Sequence, residues 1–365
     1  MTRQAGAERP ACFLMTLLIY SFGDDAHAGA VAWAFREHCG TCDILDYGDF
    51  PNRWQVSASV SSEADLAIRS ASAAGRIDHE AYSVVWNRRT APVGEAPGIA
   101  EQDVEIARTT SKRFLDQVRT LEWPGQLWVN PREKQLRADN KMYQLRLARR
   151  CGLCIPDTLF SNDPAEVRAF VASRGPAIVK SMFPINWYSQ TDPRSLPTTD
   201  ISLEQLAADL PVLACPLIYQ GKTRKAFELR VVVLGREIVA CRLNSQAMDE
   251  SRVDFRMVNP HHLDVEPFAL PAGLSRQILD FMQSAGLVHG ALDFAVDTEG
   301  NFIFYEINEQ GQTLWLEECN PEVRILDRLI SFFESASPSF LWDGRNRASF
   351  HDWPDPAEGP APVPA

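Results

Sequence analysis

The chain has 365 residues, 45% of them hydrophobic and 23% charged. That is the balance of a soluble globular protein, and the length exceeds a usual single domain, so two or three domains around a cleft are expected. A net charge of −12 and a pI of about 5.1 exclude the basic surface that bulk nucleic-acid binding needs, and no apolar run reaches membrane-spanning length. Residues 1–14 carry early charge, but the apolar run after them ends in Gly23-Asp24-Asp25 and not in a small-residue cleavage site. They read as a tail, and a cytoplasmic location follows. Met15–Phe22 is the first strand, Asp24 or Asp25 caps a helix to Glu37, and Asp43–Asp46 is a second strand, a β-α-β opening that implies parallel pairing. Ser57–Ala64 is polar and carries no signal. Tyr82–Trp86 is a strand followed by Asn87-Arg88-Arg89. Arginines there stand either where α/β sheets bind ligands or in a solvated loop.

A loop at Thr90–Gly98 precedes a helical pattern over Glu101–Leu121, a short strand at Leu127–Asn130 and a helix over Arg137–Arg150. That last helix carries Lys141 near its start, where the helix end favours phosphate, and Gln144, Leu145 and Ala148 on its following turns. Ile155–Phe160 is a strand, Asn162-Asp163-Pro164 starts a helix to about Ser173, and Ala177–Lys180 is a strand ending in a lysine. Lysine is scarce beside arginine, which draws attention to each one. Met182–Thr199 has no periodicity, and a stretch of that length is usually functional, here a lid. Val212–Gln220 reads as a strand leading into Gly221-Lys222-Thr223. Phe227–Leu234 alternates, with Glu228 and Arg230 on one face, and Glu237–Arg242 is its hairpin partner. Ser275–Ala285 is helical, Asn320-Pro321 caps a last helix to Phe333, and residues 354–365 are a disordered Pro/Ala tail.

The chemistry concentrates in His289–Glu318. Leu292–Val296 and Phe302–Ile307 are apolar strands joined by the turn residues 297–301. Glu306 and Asn308 are two apart and share a face, and the hairpin returns Asp293 beside them. Two readings of this all-oxygen set stand: ligands for Mg²⁺, which takes one or two carboxylates plus phosphates, or solvated acids on an edge hairpin. The two CxxC pairs, Cys39/Cys42 and Cys151/Cys154, admit a zinc or redox site. Glycines that end a helix before a strand account for both pairs without one.

Taken together, VVWNRR (84–89), NKMYQLRLARRCGLCIPDTLFSNDP (140–164), AIVK (177–180), YQGKTRKAFELRVVVLG (219–235), DFR (254–256) and HGALDFAVDTEGNFIFYEINEQGQTLW (289–315) resemble the ATP-grasp superfamily. Within it they resemble the graspetide synthetases, which macrocyclise ribosomal peptides through ω-ester or ω-amide bonds. The resemblance implies an α/β (α+β) chain with a tail at 1–14, an N-terminal pre-ATP-grasp α/β domain at 15–130, a central lid domain at 131–212, a C-terminal antiparallel-sheet domain at 213–340 and a tail at 341–365. It implies ATP and Mg²⁺ as cofactors. Lys141 and Lys180 are similar to the phosphate-contacting lysines, and Gln220, Gly221, Lys222 and Thr223 to the adenine hinge. Lys225, Glu228 and Arg230 match the K-x-x-E-L-R strand, Arg256 a phosphate-binding arginine, and Asp293, Glu306 and Asn308 the metal ligands. Glu309 departs from the usual proline after the metal-binding Asn, and Thr313 before Trp315 from a more aromatic pair; both bear on substrate and partner. The implied activity is activation of Asp or Glu side chains of a precursor peptide with a leader as acyl phosphates, followed by attack of a hydroxyl or amine. Two other readings use the same residues: a ligase joining free amino acids or adding one to a peptide or metabolite, and a non-catalytic nucleotide-binding module. No membrane partner is implied, and homodimerisation rests on the resemblance alone.

Overall fold

A computed structural model describes residues 15–354 apart from 64, 74, 183–185, 190–191, 196, 249–251, 256–258 and 260–261. The tail expected at 1–14, and the part beyond 354 of the tail expected at 341–365, lie outside the described residues; residues 341–354 are not a loose tail, because Trp342 donates to Asp327 at 2.8 Å and Arg347 to Glu334 at 2.8 Å. The chain forms two compact units, 1–132 with 324–365, and 133–323.

The first unit is built on strand β1 (Met15–Ser21), whose run MTLLIYS is buried from Leu17 onward. Helix α1 (Ala26–His38) follows, with the Asp25 carboxylate accepting from the N–H groups of His27 and Ala28 and basic Arg36 and His38 in its last turn. β2 (Gly40–Asp46) pairs parallel with β1. Gly40 is not the left-handed helix end that its position after α1 suggested. It opens the strand so close to β1 that a Cβ would lie 2.0 Å from the Met15 carbonyl oxygen. Ser57–Ala64, which carries no sequence signal, holds the end of β3 (Gln55–Ser59), which with β4 (Ala67–Ser72) and β5 (Gly75–Asp78) forms an antiparallel sheet. β6 (Val84–Asn87), helix α2 (Val104–Val118) and β7 (Leu127–Val129) complete a parallel sheet of order β2-β1-β6-β7. Leu18, Tyr20, Leu45, Tyr47, Val85, Leu115 and Trp128 form its core.

The second unit starts with α3 (Arg132–Ala138) and α4 (Lys141–Arg150), one expected helix divided where the Asn140 side chain caps α4 by accepting from Tyr143 N–H. α4 ends at Cys151 and Gly152, whose φ of 83° is the left-handed turn that the CxxC glycine predicted. β8 (Thr158–Ser161), α5 (Pro164–Arg174), β9 (Ala177–Lys180), β10 (Asn186–Ser189), β11 (Asp192–Ser195), β12 (Thr199–Ile201), α6 (Leu210–Ala214) and β13 (Leu217–Gly221) follow. β10 and β11 pair as a hairpin within the stretch read as a lid, and most of that stretch's remaining detail lies outside the described residues. The sheet β12-β9-β13-β8 packs on α5 through Val167, Val171, Ala177 and Tyr219. The strand expected from Val212 starts as α6 instead, because Asp209 and Pro211 open a helical turn there.

β14 (Lys225–Leu234), β15 (Glu237–Leu243), β16 (Val265–Pro267), α7 (Ala272–Ala285), β17 (His289–Asp297) and β18 (Phe302–Asn308) make an antiparallel sheet of order β16-β15-β14-β17-β18. One face buries Leu229, Val231, Leu292, Phe294, Phe304 and Ile307 against α4 and α7. The opposite face is therefore free to carry charge. Helix α8 (Leu314–Cys319) and a 3-10 turn at Pro321–Val323 end the unit. Arg324, in left-handed backbone with φ 52°, divides the expected last helix, and α9 (Ile325–Ser335) belongs to the first unit, where Phe333 packs on Trp86 with ring centroids 5.1 Å apart. Among the described residues no helix is long and apolar enough to cross a membrane.

Candidate functional site

Strand register puts the key side chains in one row. Arg230 on β14 is opposite Asp293 on β17, and Asp293 is opposite Glu306 on β18. Directly opposed residues share a face with their Cβ atoms about 5 Å apart, so the two carboxylates can reach one ion. Arg230 donates to Asp293 at 2.7 Å and to the Gln312 carbonyl at 3.3 Å. Lys141, from the first turn of α4, donates to Glu306. Asn308 is two residues beyond Glu306 on the same face, and its side-chain oxygen accepts from Gln310 N–H at 3.2 Å.

Two β-bulges complete the site. The first, between Lys225 and Phe227, turns Lys225 to the face of Glu228, although the two are three positions apart. Lys225 then donates to Glu228 at 3.0 Å and to the Val253 carbonyl at 3.1 Å. Both side chains are buried, and burial raises the Glu228 carboxyl pKa while Lys225 beside it opposes the shift. The second bulge falls at Tyr305, between the pairs Asp293/Glu306 and Phe294/Phe304. It turns Tyr305 into the cleft next to Glu306. The Lys180 ammonium stands 5.7 Å from the centroid of the Tyr305 ring. Burial pushes the Tyr305 hydroxyl pKa well up, and a hydrogen bond with Thr223 partly offsets that.

These residues wall one cleft of the second unit. Lys180, Gln220, Lys222, Thr223, Lys225, Glu228, Asp293 and Glu306 line it. Lys141 and Arg230 reach it through the carboxylates they hold, while Gly221 and Asn308 stand outside its lining. Arg256 lies outside the described residues. Gln220 donates to Thr158 at 2.9 Å and leaves its buried carbonyl oxygen without a protein partner, an acceptor ready for a ligand N–H. In the stretch expected to be a hinge, Gly221 N–H is donated to the Asp157 carbonyl and Lys222 N–H to the Pro176 carbonyl, and the Lys222 ammonium pairs with Asp200 at 2.7 Å. The chain's lysines are Lys112, Lys134, Lys141, Lys180, Lys222 and Lys225, and all but the first two come to this site. Sequence reading missed Tyr305 and the Val253 carbonyl. No sequence signal marks a bulge, though a tyrosine beside Glu306 in an otherwise apolar strand was visible.

Among the described residues no cluster of three or more His, Cys, Asp or Glu could hold a metal. The donor set Asp293, Glu306 and Asn308, with an amide in place of a third acid, nonetheless fits a hard cation. Its ligands are all oxygen, and the two carboxylates are directly opposed on neighbouring strands. The seven cysteines among the described residues are free thiols, and burial pushes Cys39 and Cys42 up to about 12, which disfavours the thiolates that zinc or redox chemistry needs. In the first unit Arg88, one of the arginines after β6, is wholly buried and held by Asp25 at 2.6 Å, and Arg89 is exposed. Arg88 is thus a structural ion-pair partner within its unit.

No family profile and no curated protein matches the sequence. Solved structures do. A RiPP-associated ATP-grasp ligase from Chryseobacterium gregarium, solved with ADP and a leader and core peptide, superposes with a TM-score of 0.82 at 22% identity over 89% of this chain and 98% of that one. The macrocyclase MdnC from Microcystis aeruginosa MRC, bound with precursor peptide MdnA, gives 0.77 at 25% identity over 88% and 100%. The ATP-grasp ligase PsnB, with a phosphomimetic variant of a minimal precursor, Mg and ADP, gives 0.66 at 19% over 88% and 98%. This protein has the ATP-grasp fold, in the form carried by RiPP-associated ATP-grasp ligases.

Proposed function

We propose that the chain is an ATP-dependent ligase acting on a ribosomal precursor peptide with a leader. It activates Asp or Glu side chains as acyl phosphates and closes ω-ester or ω-amide crosslinks to Ser, Thr or Lys side chains of the same peptide. The observation that carries this reading is the row Arg230–Asp293–Glu306 with Lys141 beside it, in a cleft walled by the scarce lysines. The likeness to MdnC and PsnB, which were solved with precursor peptides, supports the substrate class.

Asp293, Glu306 and Asn308 would hold the cation, and Mg²⁺ there would supply positive charge against the triphosphate. Lys141 and Lys180 bear on the phosphates, with Lys180 steadied over Tyr305. Gln220 to Thr223 border the base, and Lys225 and Glu228 line the nucleotide wall. Arg230, with Arg256, neutralises the phosphoryl group as it moves from ATP to the peptide carboxylate oxygen. A peptide hydroxyl or amine then attacks the carbonyl carbon, the carbon–phosphate oxygen bond breaks, and phosphate leaves. The chain contributes position and charge, and no side-chain nucleophile is needed. The reading places the reaction in the cytoplasm, where ATP and new ribosomal peptides meet, with no nucleic-acid partner and with the chain as a homodimer.

Mass spectrometry after incubation with Mg-ATP and the peptide encoded beside the gene tests it. Successive losses of water, one per ADP formed, are expected. A gain equal to an amino acid selects the alternative ligase, and AMP in place of ADP overturns both.

A further inference from the structure

β18 is the outer strand of its sheet, and it carries Glu306 and Asn308. Its backbone groups alternate in direction, so those of Ile307, between the two, face away from β17. An outer edge of this kind is free to shift unless something closes it.

The Cys154 carbonyl, which accepts from Phe304 N–H at 2.8 Å, closes it near the start of β18, and the Gln144 side chain closes it at Ile307. Its amide nitrogen donates to the Ile307 carbonyl at 3.0 Å, and its amide oxygen accepts from Ile307 N–H at 3.0 Å. The same nitrogen donates to the Ala138 carbonyl at 2.6 Å, which ties the end of α3 to the contact. Gln144 is 1% exposed, so these bonds form away from competing water. One amide thus copies the pairing that another strand would supply. It does so on α4 one turn after Lys141, so the helix that holds the Glu306 carboxylate also holds the backbone next to it.

We propose that Gln144 is a positioning residue that sets the spacing of Glu306 and Asn308 for the cation. The proposal rests on the metal role assigned to those residues above. Outer partners of this kind act by fixing ligand direction, and losing one weakens metal affinity about 10- to 100-fold. A misplacement on the order of an ångström is enough to matter at such a site.

The test uses the full chain with Gln144→Met, which keeps length and removes both bonds, and Gln144→Asn, which keeps an amide too short to span them. Leu145→Ala, on the same helix and in the core, is the control for general loosening. Hydrogen exchange of the peptide containing Ile307 reads the clamp, and Mn²⁺ titration with ADP, followed by electron paramagnetic resonance, reads the site. Faster exchange at Ile307 and a Mn²⁺ affinity at least tenfold weaker in Gln144→Met are expected, with metal-free ADP binding unchanged and Leu145→Ala near wild type in Mn²⁺ affinity. If Gln144→Met does not fold, Gln144→Asn carries the same expectations. Wild-type Mn²⁺ affinity in the folded Gln144 variant overturns the proposal, as does an equal loss in Leu145→Ala. Absence of Mn²⁺ binding by the wild-type chain overturns the metal assignment itself, and the two failures are distinct.

Discussion

His79 offers a quantitative test of the first unit. It is 1% exposed, its Nδ1 is 2.7 Å from the Tyr20 hydroxyl, and its Nε2 is 2.7 Å from the Ser70 hydroxyl. The imidazole thereby ties β1 to β4. Burial lowers its pKa from 6.5 to about 4. The folded chain therefore keeps the ring neutral where the unfolded chain protonates it, so the unfolded state binds more protons between those values. Stability is full above pH 6.5 and falls as pH drops toward 4. From these pKa values the group costs about 2 kcal/mol on going from pH 7.5 to pH 5, at 1.36 kcal/mol per unit. Other groups titrate over the same range, so the measurement is a difference. Urea unfolding is followed by tryptophan fluorescence, which reports this unit through Trp86 and Trp128, for wild type and His79→Asn at both pH values. The variant is less stable at pH 7.5 but should lose about 2 kcal/mol less on acidification. An equal loss in the two proteins would refute the buried neutral imidazole.

Glu306→Gln keeps shape and removes charge, and ATP turnover should fall about 100-fold or more with stability changed by less than about 1 kcal/mol, because the pair with Lys141 is partly exposed; full turnover in a Mg-ATP assay contradicts the metal role. Asp25→Asn strands the buried Arg88 guanidinium and should cost about 3–5 kcal/mol in urea unfolding, whereas an unchanged midpoint would show the pair to be incidental. Tyr305→Phe keeps the ring beneath Lys180 and loses the bond with Thr223, and Tyr305→Leu loses both. ADP affinity by calorimetry should fall about threefold and about tenfold respectively, and equal affinities in all three proteins would remove Tyr305 from the site.

How much of this was legible depended on whether the alternation held. The shared face of Asp293, Glu306 and Asn308 follows from a two-residue period, and the register keeps that period at the ends of β17 and β18. The β-α-β opening and the parallel sheet were visible because Met15–Ser21 is apolar and Asp25 is a strong cap. The alternation broke at the two bulges. Lys225 and Glu228, three apart, should have faced opposite ways, and nothing in KAFELR marks the extra residue. β3 gave no signal because Ser57 and Ser59 on it are small, polar and exposed, and read as loop. Arg88 was misjudged because its partner, Asp25, is 63 positions away, and spacing does not report such a pair.

The arrangement of charge explains how such a site folds before any ligand arrives. Asp293 and Glu306 would each be costly as bare carboxylates beside an apolar sheet. Arg230 and Lys141 remove that cost, and Lys225 does the same for Glu228. Those cations are the groups that the proposed reaction needs against phosphate. On that reading, Asp293 and Glu306 would hold the metal and supply negative charge to it, and Arg230 and Lys141, paired with them here, would be the cations set against phosphate. The backbone must then hold the two carboxylates in place. The Gln144 clamp on Ile307 meets that requirement on the outer strand, and the pairing of β17 with β14 meets it on the inner one.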